Sequence, residues 1–215
     1  MRSWPIPSLL FTLEATTWIR SCKRQHLNDT IEDWINGLAG HVALLDKAMK
    51  FSAQDIVYVI LLLLLALWFW PTSERALNQR VATASFIASL TSLLAAAVLG
   101  HIFYEARPFV SDGSARLLIN HSPDNGFPSD HAILIFAVAG SIVWWRPLLG
   151  GISLALAALL GVARIYVGVH WPLDILVSAA VGLMAGALLA WLVPQLREPQ
   201  RWFSRFLPSF FLASP

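Results

Sequence analysis

Charge is scarce in this chain. Only 13% of its 215 residues are charged, against the ~25% usual in soluble domains. The shortage argues against an ordinary water-facing surface and points to a bilayer protein. Cysteine is nearly absent. Cys22 stands alone, which excludes an intramolecular disulfide and a cysteine zinc site. There is no basic block, and the formal net charge is only +2, so nothing marks nucleic acid as a partner. There is no internal repeat. No feature calls for an obligate protein partner.

Apolar residues are abundant instead, at 57% of the chain. They gather in five stretches that approach the ~20 residues needed to cross a bilayer. These run from about Ile56 to Trp70, Ala82 to Tyr104, Ala132 to Trp145, Leu148 to Val162 and Ile175 to Val193. The third and fourth are short, and polar flanking residues are expected to extend them. Pro71, Pro147 and Pro194 sit at span ends, where proline commonly stops a helix. From Asn28 to Lys50, Ile31, Trp34, Ile35, Leu38, Val42, Leu45 and Met49 recur at helical spacing among charged residues. This predicts one or two amphipathic helices on the membrane, broken near Gly37 and Gly40. The alternative is that this segment extends the first span. The expected fold is therefore an all-α polytopic membrane helix bundle. It has five or six transmembrane helices and N-terminal amphipathic helices. The expected division is an N-terminal extension over 1–27, a membrane domain over 28–196 and a tail over 197–215.

The loops suggest an orientation. With five spans, Arg75, Arg80, Arg146, Arg197, Arg201 and Arg205 fall on one side, which the positive-inside rule makes cytoplasmic. The second and fourth loops then face outward. The cations near the N-terminus disagree, and a sixth crossing would partly resolve this.

Chemistry-bearing residues concentrate in the two outward loops. His170 and Asp174 are four apart, one helical face if both lie on a helix, and Pro172 suits a first turn. A carboxylate that accepts from one imidazole nitrogen fixes the tautomer and leaves the other free to attack. Taken alone, this pair reads more readily as a chance His and Asp near an interface. Ser129 precedes an apolar helix as an N-cap candidate, where free amides also suit an anion. His131, in the first turn, can protonate a leaving oxygen. For that motif alone, helix capping with a solvated histidine is an equal reading. Arg107 and Arg164 carry guanidinium forks that match phosphate oxygens, although a lone arginine more often snorkels to head groups. The arginines and amides can neutralise a phosphate, so no metal and no cofactor is expected. His101, near the end of the second span, reads as a hydrogen-bonded interface histidine, and His121, His41 and His26 show no recognisable partner spacing. Asp112 and Asp124 read as solvated loop charges.

Together, Arg107-Pro108, Pro128-Ser129-Asp130-His131, Arg164, His170 and Asp174 resemble the type-2 phosphatidic acid phosphatase superfamily, which shares its site with vanadium haloperoxidases. The superfamily pattern is Lys, six residues, Arg-Pro; then Pro-Ser-Gly-His; then Ser-Arg, five residues, His, three residues, Asp. Three positions depart from it: Gly100 stands for the lysine, Asp130 for the glycine and Ala163 for the serine. With Glu105 and Ile35-Asn36-Gly37-Leu38, they look like the bacitracin-resistance branch, the undecaprenyl-diphosphate phosphatases. The resemblance covers about residues 28 to 193.

It implies that His170 attacks the terminal phosphorus and that His131 protonates the leaving lipid phosphate. A phosphohistidine then forms and is hydrolysed. It implies phosphate contacts from Arg107, Ser129 and Arg164, and site support from Glu105 and Asp130. The partner it implies is a lipid diphosphate within the bilayer, undecaprenyl diphosphate, at a site facing outward from a bacterial cytoplasmic membrane. Phosphatidate, phosphatidylglycerol phosphate or lipid A remain as substrates within the same class. A transporter whose charges line a path and a catalytically dead lipid-binding relative are the readings outside it.

Overall fold

The computed structural model describes residues 26–111 and 113–193. The segments at 1–25 and 194–215 lie outside the described residues, and with them most of the expected extension and all of the tail. Asp112 and Pro194 also lie outside them.

Eight helices are present among the described residues. Helix α1 covers 26–36. It is followed by α2 (Ala43–Gln54), α3 (Ile56–Phe69), α4 (Arg75–Ile102), the short α5 (Pro108–Ser111), α6 (Asp130–Trp145), α7 (Pro147–Tyr166) and α8 (Pro172–Leu192). The protein is an all-α bundle and a polytopic membrane protein.

The count of five or six spans is not what the fold contains. Among the described residues three helices, α4, α7 and α8, are long and apolar enough to cross a membrane. A fourth crossing arises only if α2 and α3 form one broken span, bent by 51°. Two physical reasons account for the difference. The stretch from Ile56 is severed from α2 at Asp55, which leaves α3 with 14 residues, about 21 Å at 1.5 Å per residue. The stretch from Ala132 becomes α6 with 16 residues, about 24 Å. Both fall short of a hydrocarbon core of ~30 Å. Apolar composition in α6 reflects burial in protein: every residue from Ile135 to Ile142 is buried. A helix apolar on all sides lies either in a protein core or in a membrane, and here neighbouring helices cover most of it.

Helix α6 packs chiefly on α8, and also on α4 and α7. Small residues make the α6–α8 approach possible. A Cβ at Gly182 would lie 2.5 Å from the Ile133 carbonyl oxygen, and one at Gly186 would lie 2.3 Å from that of Ala137. Spacing small residues four apart is how membrane helices bring their backbones together. Two of the polar side chains inside α4 bond back to its own carbonyls: Thr83 Oγ1 donates to that of Gln79 and Ser89 Oγ to that of Ser85, each at 2.8 Å. At the end where α4 begins, Arg146 joins Glu74 at 2.5 Å and Asn78 at 2.8 Å.

Helix α1 is amphipathic with its polar side inward. Asn28, Glu32 and Asn36, four apart, are buried, and Glu32 is only 1% exposed. Leu27, Ile31 and Trp34 face outward, Trp34 at 75% exposure. The chain breaks between α1 and α2 at residues 37–40, with Gly40 at a left-handed φ of 78°. Asn36 Nδ2 donates to the carbonyls of Arg116 and Tyr166 at 3.0 and 2.9 Å, and its Oδ1 accepts from Arg116 N at 2.8 Å. Asn28 Oδ1 accepts from Leu173 N at 3.0 Å. The strap thereby grips the segment between α7 and α8.

Candidate active site

Helix α7 ends at Tyr166, and Gly168 follows with φ 80°. The left-handed turn sends the chain back on itself. It requires glycine, because a Cβ there would lie 2.6 Å from the Arg116 carbonyl oxygen. His170 follows, then Trp171 as N-cap of α8 and Pro172 at its first position. His170 therefore precedes the helix and does not share a helical face with Asp174. The two still meet. Asp174 sits one turn into α8 and its Oδ2 accepts from Trp171 N at 2.9 Å. The same oxygen lies 3.4 Å from His170 Nδ1.

The other ring nitrogen faces two cations. Arg164 Nη2 is 3.1 Å from His170 Nε2, and Arg107 Nη1 is 3.4 Å from it. Guanidiniums only donate, so Nε2 must present its lone pair, and the ring proton belongs on Nδ1 beside Asp174. Burial, and then the Arg164 and Arg107 charges, hold this imidazole well below its ordinary range, against an opposing pull from the Gly126 backbone.

Both arginines are buried. Arg107 Nε donates to Asp124 Oδ1 at 2.8 Å, Nη1 to the Val169 carbonyl at 2.9 Å and Nη2 to that of Asn125 at 3.1 Å. Arg164 lies in the last turn of α7, where a loop was expected. Its Nη1 donates to the Ala53 carbonyl at 3.4 Å, and its Nε is buried with no hydrogen-bond partner.

Ser129 holds the N-cap position of α6, but its side chain makes no capping bond. Its amide donates to Ser178 Oγ at 2.9 Å, and its hydroxyl is buried without a partner. A buried polar group left open calls for an explanation, and an anion at this helix start would supply a partner. His131 occupies the first turn of α6, half-buried, and Asp130 is exposed beside it. Glu105 is half-buried. Burial raises its carboxyl above the ordinary range, the neighbouring Asp174 side chain works against this, and Asp29 reinforces it. No group of three or more metal-ligating side chains that could hold an ion is found among the described residues.

Three residues of the site had no signal in the sequence. Asp124, expected to be a solvated charge, pairs with Arg107. His121, which showed no recognisable partner spacing, lies 3.3 Å from Arg164 through Nε2. Asn125 laces the loop to the end of α4. Its Oδ1 accepts from the amides of Glu105 and Phe127, both at 3.0 Å, and its Nδ2 donates to the carbonyls of Gly100 and Phe103 at 2.8 and 2.9 Å. That packing explains Gly100, where a Cβ would lie 3.1 Å from the Phe127 carbonyl oxygen. Ala163 is buried in the apolar cluster around Tyr166 and Val167.

The family model of the PAP2 superfamily matches residues 82–198. The chain is 35% identical to YbjG of Escherichia coli over 173 residues, 80% of this chain and 84% of that protein. It is 29% identical over 162 residues to the undecaprenyl-diphosphatase BcrC of Bacillus subtilis, 75% of this chain and 82% of that one. The crystal structure of Aquifex aeolicus LpxE matches with a TM-score of 0.63 at 25% identity, covering 76% of this chain and 94% of that one.

Proposed function

Since the chain belongs to the PAP2 superfamily and is a phosphatase acting on a membrane lipid phosphate, we propose that it hydrolyses undecaprenyl diphosphate to undecaprenyl phosphate and so recycles the lipid carrier of cell-wall synthesis. The relatives named above, one of them an undecaprenyl-diphosphatase, support the choice of lipid. The observation that carries the chemistry is His170, with Nε2 held between two guanidiniums and Nδ1 backed by Asp174.

The lone pair on Nε2 attacks the terminal phosphorus. The bond from that phosphorus to the bridging oxygen breaks, and His131 gives its proton to the departing lipid phosphate. Asp174 stabilises the positive ring. Water, deprotonated by His131, then displaces His170 from phosphorus and releases inorganic phosphate. Arg107, Arg164, the Ser129 hydroxyl and nearby amides carry the charge on the equatorial oxygens, since phosphoryl transfer is mostly positioning and electrostatics. Glu105 and Asp130 support the site. With guanidiniums in the neutralising role, turnover persists in excess chelator. The domain active in this way runs over 28–196, with the site on the extracytoplasmic face of the bacterial cytoplasmic membrane.

The test is phosphate release by purified protein from a panel of undecaprenyl diphosphate, phosphatidate and phosphatidylglycerol phosphate. The prenyl diphosphate is expected to give the highest kcat/KM. A marked preference for phosphatidate would reject the assignment.

A further inference from the structure

Between α5 and α6 the chain carries a histidine that belongs to none of the three matched motifs, yet it reaches the phosphate cradle. His121 Nε2 lies 3.3 Å from Arg164 Nη2, the same nitrogen that faces His170. Its Nδ1 lies 3.1 Å from the Ser122 carbonyl oxygen and 4.0 Å from Asp124 Oδ1. Asp124 in turn holds Arg107 through Nε and Nη2, each at 2.8 Å, and is itself held by Ser122 Oγ at 2.9 Å. A chain of contacts results: His121, Arg164, His170, Arg107 and Asp124, whose two ends approach within 4.0 Å.

We propose that His121 is a positioning residue for phosphate binding, which accepts from Arg164 through Nε2 and, with Asp124, holds both guanidiniums against the attacking face of His170. The assignment follows from donor and acceptor types. Arg164 can only donate, so His121 Nε2 accepts. Its proton then sits on Nδ1, where the Ser122 carbonyl and Asp124 wait. Fixing a guanidinium in advance lowers the entropy lost when phosphate binds. Protonation of His121 would set two donors face to face and release Arg164. Burial, together with Arg107 and Arg164, keeps the ring below its usual range, while Ser122 and Asp124 pull upward. The groups facing it are Arg164 on α7, Arg107 before α5, Asp124 on its own loop, His131 on α6 and His170 before α8.

The inference rests on the lipid-phosphatase reading but not on which lipid is cleaved. His121→Ala and His121→Gln are compared with wild type, using a short-chain lipid phosphate as substrate and orthovanadate as inhibitor. In the alanine variant KM and the vanadate inhibition constant should both rise about tenfold, as expected for one lost charge-assisted hydrogen bond, with kcat changed far less. Glutamine offers a carbonyl oxygen that does not titrate. It should restore most of the affinity at neutral pH, and its KM should stay flatter than that of wild type as the medium is acidified toward about pH 5. An alanine variant with wild-type KM and vanadate affinity overturns the proposal. So does a glutamine variant that keeps the wild-type acid limb. Should the alanine variant fail to fold, the glutamine pH profile still decides. Should wild type release no phosphate from any lipid, the functional reading fails, while vanadate affinity still reports on the two arginines.

Discussion

An imidazole wedged between two guanidiniums must be neutral to accept from either, and His170 is arranged for that. His170→Ala should abolish turnover, and Asp174→Asn should lower kcat strongly while the protein stays folded. Acid-labile, base-stable phosphate should be trapped on the wild-type chain during turnover. Near-normal activity in His170→Ala would sink the nucleophile assignment. The same environment has a consequence for stability. The native pKa of His170 lies below the ordinary 6.5, so the unfolded chain binds this proton more tightly than the folded one. Its contribution is complete above about pH 6.5 and is lost as pH falls toward the native value. Wild type should therefore lose more Tm than His170→Gln between about pH 7 and pH 5; equal losses would contradict this. Motif spacing singled out His170, Asp174, His131, Ser129 and the two arginines as candidates, because each motif is a local run, and the fold brings His170 against Asp174 and both arginines. Nothing local exposed His121, Asp124 or Asn125. Their partners lie 43 positions away at Arg164, 17 at Arg107 and 25 at Gly100, and only the closed loop brings them together.

Helices set the stage through small residues. The α6–α8 seam leaves no room at Gly186, where a Cβ would already overlap backbone at 2.3 Å. Gly186→Leu must push the two helices apart, at a cost of several kcal/mol beyond the ~1–3 typical of overpacking. It should reduce the yield of monodisperse protein and displace Ser129, whose amide is bound to Ser178 across that seam. Gly151 is the control. A Cβ there meets nothing within 4 Å, so Gly151→Ala should raise Tm slightly, by roughly 0.5–1 kcal/mol of helix propensity. The reverse ranking in a thermal-shift assay would show the seam misjudged. Helix positions were legible in the hydrophobic runs, and so was the break near Gly37 and Gly40. Their status as spans was not, because a run of apolar residues looks the same whether lipid or protein surrounds it. Helix α6, enclosed by α4, α7 and α8, is the case in point.

At the scale of the molecule, both loops that carry the site close over one end of the bundle, away from the Glu74–Arg146 pair. The proposed outward orientation can be read with a single cysteine. Asn120 is exposed, so Asn120→Cys in a Cys22→Ala background should react with an impermeant thiol reagent on intact cells or spheroplasts. Labelling only after the membrane is broken would put the site in the cytoplasm and remove the recycling role. The sequence placed the candidate motifs at the ends of apolar runs, and the described loops that carry Arg107 and His170 do meet. The course of α1 was only half legible: its period marked it as amphipathic, but which side faces the protein depends on Asn28 and Asn36 finding backbone partners near His170. That helix is built inside out by the standards of a water-soluble enzyme. Asn28 and Asn36 are tied to backbone on either side of His170, while Leu27, Ile31 and Trp34 are turned away from the protein, the arrangement expected of a helix whose outer neighbour is lipid and not water.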